Sequence, residues 1–72
     1  MKLEQVLPQL REGQTITRSK AFQAERNTIL FVKIEQSKLK FKCIWSNGDE
    51  INWAYYRFRT EDVMAENWEV AG

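Results

Sequence analysis

The stretch that decides the fold is residues 28–45, TILFVKIEQSKLKFKCIW. Residues 28–36 are rich in β-branched and apolar residues and the run is too short for a competing helix, so it predicts a strand. Its two faces alternate, with Leu30, Val32 and Ile34 on one and Ile29, Phe31, Lys33 and Glu35 on the other. From residue 38 the alternation is strict and predicts a second strand. Its apolar face carries Leu39, Phe41, Cys43 and Trp45, and its basic face carries Lys38, Lys40 and Lys42.

A hairpin signal follows this second strand. Asn47-Gly48 lies between two alternating runs, and both residues can adopt positive φ, which is typical of a tight hairpin turn. Residues 50–56 then predict the returning strand, with Ile51, Trp53 and Tyr55 on one face. Together the runs predict an antiparallel sheet.

On the N-terminal side, a helix is predicted over residues 3–12. Leu3, Val6, Leu7 and Leu10 fall at i, i+3, i+4 and i+7 and form one apolar stripe that can lie on a sheet. Pro8 is compatible with this helix if the helix starts near Glu4 or Gln5, so that Pro8 lies in its first turn. Gly13 is a stop signal. Residues 14–19 predict a short strand, and residues 19–27 predict a loop.

On the C-terminal side, Thr60 is a candidate N-cap, with Glu61 and Asp62 in the favoured first turn of a helix. Residues 63–65 complete that single turn, and residues 68–70 predict a last short strand in which Trp68 is structural. The predicted fold class is therefore α+β: an N-terminal helix packed on a four- to five-stranded antiparallel sheet, with a short C-terminal helical turn. The 72 residues predict one domain, 1–72.

Composition excludes several classes of protein. The chain has one Cys and no His, so no internal disulfide and no zinc-type metal site is expected, and Cys43 is expected to pack as a small hydrophobe. Without His, acid–base catalysis near neutral pH lacks its usual residue, and we expect neither an enzyme nor a cofactor. No apolar run approaches the roughly 20 residues that span a bilayer, and no export signal is evident, which indicates a cytoplasmic protein.

Two surface patterns could carry function. The row of Lys38, Lys40 and Lys42 could contact nucleic-acid phosphates, although a solvated sheet face is the favoured interpretation and nucleic acid is not the expected partner. Residues 53–59, WAYYRFR, combine aromatic planes that stack on bases with arginines that bind phosphate; core packing and an oligomer interface are the alternative. Because so small a domain has a thin core, a homo-oligomer is expected.

Both ends of the chain show a family resemblance. Residues 3–18, LEQVLPQLREGQTITR, and residues 60–70, TEDVMAENWEV, resemble the start and the end of a family of small phage and prophage proteins that includes the second type of Thoeris anti-defence protein. This resemblance implies a non-enzymatic sponge. Family members assemble as oligomers, characteristically tetramers, and sequester cyclic ADP-ribose isomers made by TIR-domain immune enzymes; some also bind cyclic dinucleotides.

The resemblance and the residue chemistry together define a predicted ligand site. Trp53 and Phe22 would stack a purine, Arg18 and Lys20 would meet the phosphates, and Asp62 would accept a hydrogen bond from a ribose hydroxyl or a base amine. The full set of predicted ligand-binding residues is Arg18, Lys20, Phe22, Trp53, Tyr56, Arg57 and Asp62. The site could lie within one subunit or between subunits of a tetramer or a dimer. The alternative function is a small protein-binding inhibitor or a nucleic-acid-binding module of a phage.

Overall fold

The computed structural model describes residues 1–19 and 28–71, which form two helices and five strands. In chain order they are α1 (Leu3–Arg11), β1 (Ile16–Ser19), β2 (Ile29–Glu35), β3 (Lys38–Ile44), β4 (Glu50–Tyr55), α2 (Thr60–Met64) and β5 (Trp68–Val70). The strands make one antiparallel sheet in the order β4-β3-β2-β1-β5. The predicted α+β fold is confirmed. The loop predicted over residues 19–27 lies outside the described residues, apart from Ser19, which ends β1.

The helix α1 covers one face of the sheet with its apolar stripe. Leu3, Val6 and Leu10 are at most 6% exposed. They form one buried cluster with four side chains from the strands β1, β2 and β5: Ile16, Leu30, Val32 and Trp68. Fully burying an aliphatic side chain of this size contributes about 1.5–3 kcal/mol, so this cluster is the main stabilising feature of the fold.

Cys43 belongs to the same covered side of the sheet. It is fully buried, as expected from its place in the apolar series of β3. Burial raises the pKa of the Cys43 thiol, since the thiolate would lose its hydration. The thiol is therefore a packing group at neutral pH.

Pro8 lies deeper in α1 than the sequence predicts. Because α1 begins at Leu3, Pro8 is its sixth residue and falls beyond the first turn. Proline has no N–H to donate to the carbonyl of Glu4, so α1 lacks one interior hydrogen bond at this point. The helix nevertheless continues to Arg11, because its buried stripe stabilises it from the opposite side.

Two turns join β2, β3 and β4, and neither is a two-residue Asn-Gly turn. Gln36 and Ser37 connect β2 to β3 with φ of 53° and 64°, although neither is Asn or Gly. At the second turn, the N–H of Trp45 donates to the carbonyl of Asp49 at 2.9 Å, so three residues, 46–48, form the loop. The predicted hairpin is present, and Gly48 has positive φ, at 92°, whereas Asn47 does not.

A bulge in β4 changes which side chains share a face. Ile51 pairs with Cys43, whereas Tyr55 pairs with Lys40, and the register shifts between these pairs. Strict alternation would place Ile51, Trp53 and Tyr55 together, so that prediction is wrong. Trp53 absorbs the extra residue with φ of 55°, a left-handed conformation that a bulky side chain rarely adopts. As a result, Tyr55 and Trp53 leave the side of the sheet on which Ile51 lies.

Candidate functional site

The sheet has a face that neither helix covers. We call it the open face and define it by eight side chains of the strands β2, β3 and β4: Phe31, Lys33, Glu35, Lys38, Lys40, Lys42, Trp53 and Tyr55. Their placement follows from the register, since Leu30 and Val32 are buried under α1 and their neighbours point away from it. Four lysines against one glutamate make this face basic, and three aromatic rings lie among the charges.

Lys33 lies over Trp53 at the middle of the open face. The Nζ atom of Lys33 is 4.0 Å from the centroid of the Trp53 ring, a close cation–π contact. This contact also shows which way Trp53 points, because Lys33 lies on the face opposite Leu30 and Val32. The bulge therefore turns the Trp53 ring from the covered side to the open face. A bulky residue held at positive φ costs about 1–3 kcal/mol, and such strain occurs often at binding sites.

Tyr55 extends the aromatic surface towards the end of β3. Its ring is 70% exposed. The Nζ atom of Lys38 lies 5.2 Å from the ring centroid and that of Lys40 lies 5.9 Å from it. Two cations thus approach one exposed aromatic plane, which is an arrangement that suits an aromatic ligand carrying negative charge.

Glu35 is the acid of the open face. Its carboxylate lies between two lysines, with Oε2 at 3.3 Å from Nζ of Lys33 and Oε1 at 3.0 Å from Nζ of Lys40. The hydrogen bonds from Lys40 and then from Lys33 hold the pKa of Glu35 below its usual value. Lys33 and Lys40 are directly opposed across β2 and β3, a like-charge pair that the bridging carboxylate makes tolerable.

A second polar group lies on the covered side, near β1 and α2. We call it the Asp62 cluster and define it by Asp62, Arg18, Tyr56, Asn67 and Trp68. Asp62 is fully buried, and its Oδ1 accepts a hydrogen bond from Nη1 of Arg18 at 2.7 Å. Nε of Arg18 donates to Oδ1 of Asn67 at 3.0 Å. The guanidinium is therefore engaged at two points, and Arg18 is only 8% exposed.

The remaining acceptors of Asp62 are also used. Oδ2 accepts from the hydroxyl of Tyr56 at 2.5 Å and from the backbone N–H of Arg59 at 2.9 Å. Its backbone carbonyl accepts from Nε1 of Trp68 at 2.9 Å. Burial, and then the hydrogen bond to Asp62, raise the pKa of Tyr56, so the phenol stays protonated and donates. A buried carboxylate needs such a full set of donors to be tolerated.

The local sequence explains why Asp62 sits there. It is the third residue of α2, where a carboxylate can turn back and accept a backbone N–H that the helix leaves unpaired. Here the donor is Arg59, so α2 begins at Thr60 and the residue before the helix is Arg59, one position earlier than the predicted cap. The same carboxylate then faces β1, which brings it to Arg18 across 44 residues of sequence.

Residues 53–59, the aromatic-basic segment, are divided between the two faces. Trp53 and Tyr55 lie on the open face. Tyr56 and Phe58 lie on the covered side, in a row of rings that runs from Phe41 to Trp68 with centroid distances of 4.9, 5.8 and 6.0 Å. Tyr56 and Phe58 thus pack against the core, as the alternative interpretation of the segment predicts, and a ligand-binding role for Trp53 and Tyr55 stays a prediction.

The predicted ligand residues do not meet in one pocket of this chain. Arg18, Tyr56 and Asp62 lie together in the Asp62 cluster, where their polar atoms are bonded to one another. Trp53 lies on the opposite face of the sheet, on the edge strand β4, with β2 and β3 between it and β1. The side chain of Arg57 is exposed. Lys20 and Phe22 lie outside the described residues, and the binding roles of all seven stay predictions.

Of the eight side chains that define the open face, only Trp53 is among the predicted ligand residues. Lys33 and Glu35 were placed on the same strand face as Phe31, which is correct, but not joined to the lysine row of β3. The signal that could have joined them is the pair of alternating runs on either side of residues 36–37. If those two residues form the turn, Glu35 opposes Lys38 and Lys33 opposes Lys40, as the structure has it.

Two further observations concern metal binding and membrane insertion. Within residues 1–19 and 28–71, no group of three or more Cys, Asp or Glu side chains could hold a metal ion. The helices in this part of the chain have nine and five residues, and neither is long and apolar enough to cross a membrane.

Comparisons with protein-family models, curated proteins and solved structures find no match to this chain.

Proposed function

We propose that this chain is a phage anti-defence sponge, which binds a cyclic nucleotide immune signal and sequesters it without cleaving it. The signal would be a cyclic ADP-ribose isomer or a cyclic dinucleotide, captured in the cytoplasm of the host cell. The observation that carries the proposal is the open face, where Trp53 offers a ring for stacking and four lysines offer positive charge for phosphates. The family resemblance of residues 3–18 and 60–70 supplies the ligand class.

The two segments that carry the resemblance have a clear part in the fold. Residues 3–18 provide α1 and most of β1, and residues 60–70 provide α2 and β5. Arg18 from the first segment donates a hydrogen bond to Asp62 of the second, and its guanidinium lies over the ring of Trp68. The resemblance thus lies in the elements before and after β2, β3 and β4, and it supports a fold shared with that family. The ligand-facing residues come from the strands between, where this chain presents its own set.

Assembly belongs to the same proposal. An open sheet face can bind one side of a nucleotide but cannot enclose it, and useful capture needs a dissociation constant below micromolar, or more than about 8 kcal/mol. We therefore propose a homo-oligomer, a tetramer or a dimer, in which a neighbouring subunit completes the enclosure. Light scattering of the purified protein at micromolar concentration tests this: a monomer contradicts it.

The test of the function is calorimetry against a panel of cyclic ADP-ribose isomers and cyclic dinucleotides. We expect heat of binding with at least one member. Heating the complex should then release the ligand intact, because capture involves no bond cleavage; a cleaved product would identify an enzyme. Absence of heat with every member contradicts the sponge and favours the protein-binding inhibitor.

A second candidate function is supported by one observation, the gathering of Lys33 with the lysines of β3 on one aromatic face. A single-stranded nucleic acid could lie along such a face, with bases on the rings and phosphates on the lysines. Its binding to an oligothymidylate should weaken steeply with salt, with a logarithmic slope of about −2 to −3 for three or four phosphate contacts. A cyclic nucleotide, with two phosphates, should give a shallower slope in the same assay.

A further inference from the structure

The position of Glu35 indicates how the open face receives an anion. Its carboxylate bridges Lys33 and Lys40 at 3.3 and 3.0 Å, and its side chain is 47% exposed. Without a bridging anion, the two lysines would face each other as like charges on neighbouring strands. A carboxylate and a phosphate accept hydrogen bonds from ammonium groups in similar geometry.

We infer that the Glu35 carboxylate occupies the phosphate subsite of the open face, and that a bound ligand places a phosphate between Lys33 and Lys40 by displacing it. This inference rests on the proposed function, because it names the phosphate position of the same site. Glu35 thereby acts as an internal competitor. It weakens the binding of every anion. The effect is smallest for an anion with two negative groups, because such an anion can contact both lysines.

Lys33 couples this subsite to the aromatic surface. In the structure its Nζ atom contacts both the Glu35 carboxylate and the Trp53 ring. A base that stacks on the ring face covered by Lys33 must move this ammonium group, which then contacts the ligand's phosphate in place of the displaced Glu35 carboxylate. Stacking and phosphate binding therefore occur together. A ligand with both a base and a diphosphate fits the face better than either part alone.

The experiment compares the substitution Glu35→Gln with a matched control, Glu69→Gln. Both raise the net charge of the chain from +1 to +2. Glu69 lies on the same side of the sheet, since it pairs with Thr17 of β1, which in turn pairs with Phe31. It belongs to β5, however, whereas the ion pairs of Lys33 and Lys40 in the described part of the chain are with Glu35. The probe is inorganic pyrophosphate, titrated while NMR follows the lysine side-chain signals.

We expect Glu35→Gln to bind pyrophosphate about fivefold more tightly than the wild type, with the largest shifts at Lys33 and Lys40. Glu69→Gln should change the affinity less than twofold. Equal gains in both variants, or shifts spread over all the lysines, would mean that net charge alone attracts the anion and would overturn the inference. So would a failure of pyrophosphate to bind either variant. Thermal unfolding of both variants checks that each is folded.

The same variants separate this inference from the proposed function. If pyrophosphate binds as expected but no cyclic nucleotide gives heat with either protein, the phosphate subsite stands and the sponge fails. If a cyclic nucleotide binds and Glu35→Gln leaves its affinity unchanged, the sponge stands and the subsite assignment fails.

Discussion

The open face and the Asp62 cluster contain the same kinds of groups in opposite settings. Each holds a carboxylate paired with a cationic side chain, with aromatic rings close by. Asp62 is fully buried and Arg18 is 8% exposed, whereas the Glu35 side chain is 47% exposed. Breaking a buried pair leaves an uncompensated charge and costs about 3–5 kcal/mol, while an exposed pair is worth about 0–1 kcal/mol. A ligand can therefore compete for the lysines of the open face but not for Arg18.

This difference changes how the predicted site residues should be understood. Arg18 and Asp62 have the right chemistry for a phosphate and a ribose hydroxyl, but they are bonded to each other. Residue type alone did not separate a structural ion pair from a binding group. Burial separates them, and burial depends on which strands lie at the centre of the sheet.

The largest effect is expected from Asp62→Ala. This change leaves Arg18 buried without its carboxylate and removes the acceptor of Tyr56, so we expect a loss of about 3–5 kcal/mol in the free energy of unfolding. That is a large share of the stability of a domain this small. Urea unfolding followed by circular dichroism measures it.

The matched control for Asp62→Ala is Glu61→Gln. Glu61 is the neighbouring acid in α2, with an exposed ion pair to Arg59. Its replacement should cost less than about 1 kcal/mol. If the two variants lose similar stability, the Asp62 cluster does not stabilise the fold as we describe, and the contrast between the two regions disappears.

Replacing two tryptophans in turn distinguishes a side chain that stabilises the fold from one that binds the ligand. Trp68 is fully buried and Trp68→Ala should cost about 3–5 kcal/mol of stability. Trp53 lies on the open face, and Trp53→Ala should leave the protein folded while weakening cyclic nucleotide binding at least tenfold, or about 1.4 kcal/mol. Unfolding curves and calorimetry give both numbers for each variant.

The control for this pair is Trp45→Ala. Trp45 is half-buried and lies between the end of β3 and the loop of residues 46–48, outside the set of residues that defines the open face. Its replacement should leave ligand affinity within twofold of the wild type. An equal loss of affinity for Trp45→Ala and Trp53→Ala would argue against stacking on Trp53.

A smaller effect concerns the backbone of Trp53. Its φ of 55° is easily adopted by glycine and poorly by alanine. We therefore expect Trp53→Gly to be about 1 kcal/mol more stable than Trp53→Ala, although both lack the ring. The reverse order, measured by urea unfolding, would mean that the left-handed bulge is absent in solution.

The smallest effect is the pH dependence contributed by Glu35. Its pKa is lowered in the folded chain by Lys40 and Lys33, so its contribution to stability is present above the unfolded pKa, near the ordinary glutamate pKa of 4.5. The contribution is lost as the pH falls through the lower, folded pKa. A carbon-detected NMR titration of the Glu35 carboxyl should have its midpoint below 4.5.

Salt provides the check on this pH effect. Added salt should move the midpoint back towards the ordinary pKa of a glutamate, because the pairs are exposed and screened. A midpoint of Glu35 at or above that ordinary pKa in low salt would show that the two lysines do not hold its carboxylate.

Much of the fold follows from local pattern. The stripe of Leu3, Val6 and Leu10 predicts α1, and the alternation of residues 38–44 predicts β3, because both patterns reflect neighbours within a few residues. The bulge at Trp53 has no such signal, and neither has the turn at Gln36 and Ser37, since neither uses Asn or Gly. The placement of Trp53 on the open face therefore needed the structure.

The candidate site is harder to predict because its members come from different strands. Lys33 and Lys40 meet only when the register of β2 and β3 is known. The pairing of Arg18 with Asp62 depends on a contact across 44 residues, which no local pattern reports. Such long-range contacts decide which charged residues are buried, and hence which are available to a ligand.

The strand order has a consequence for how the chain folds. The strands β2, β3 and β4 are joined by short turns, so they can pair early with little loss of chain entropy. The pairing of β1 with β5 closes the sheet across most of the chain and is expected to form late, together with the contact between Arg18 and Asp62. A contact that forms after the folding barrier slows unfolding without speeding folding. The ion pair between Arg18 and Asp62 thus governs mainly how long a folded molecule stays folded.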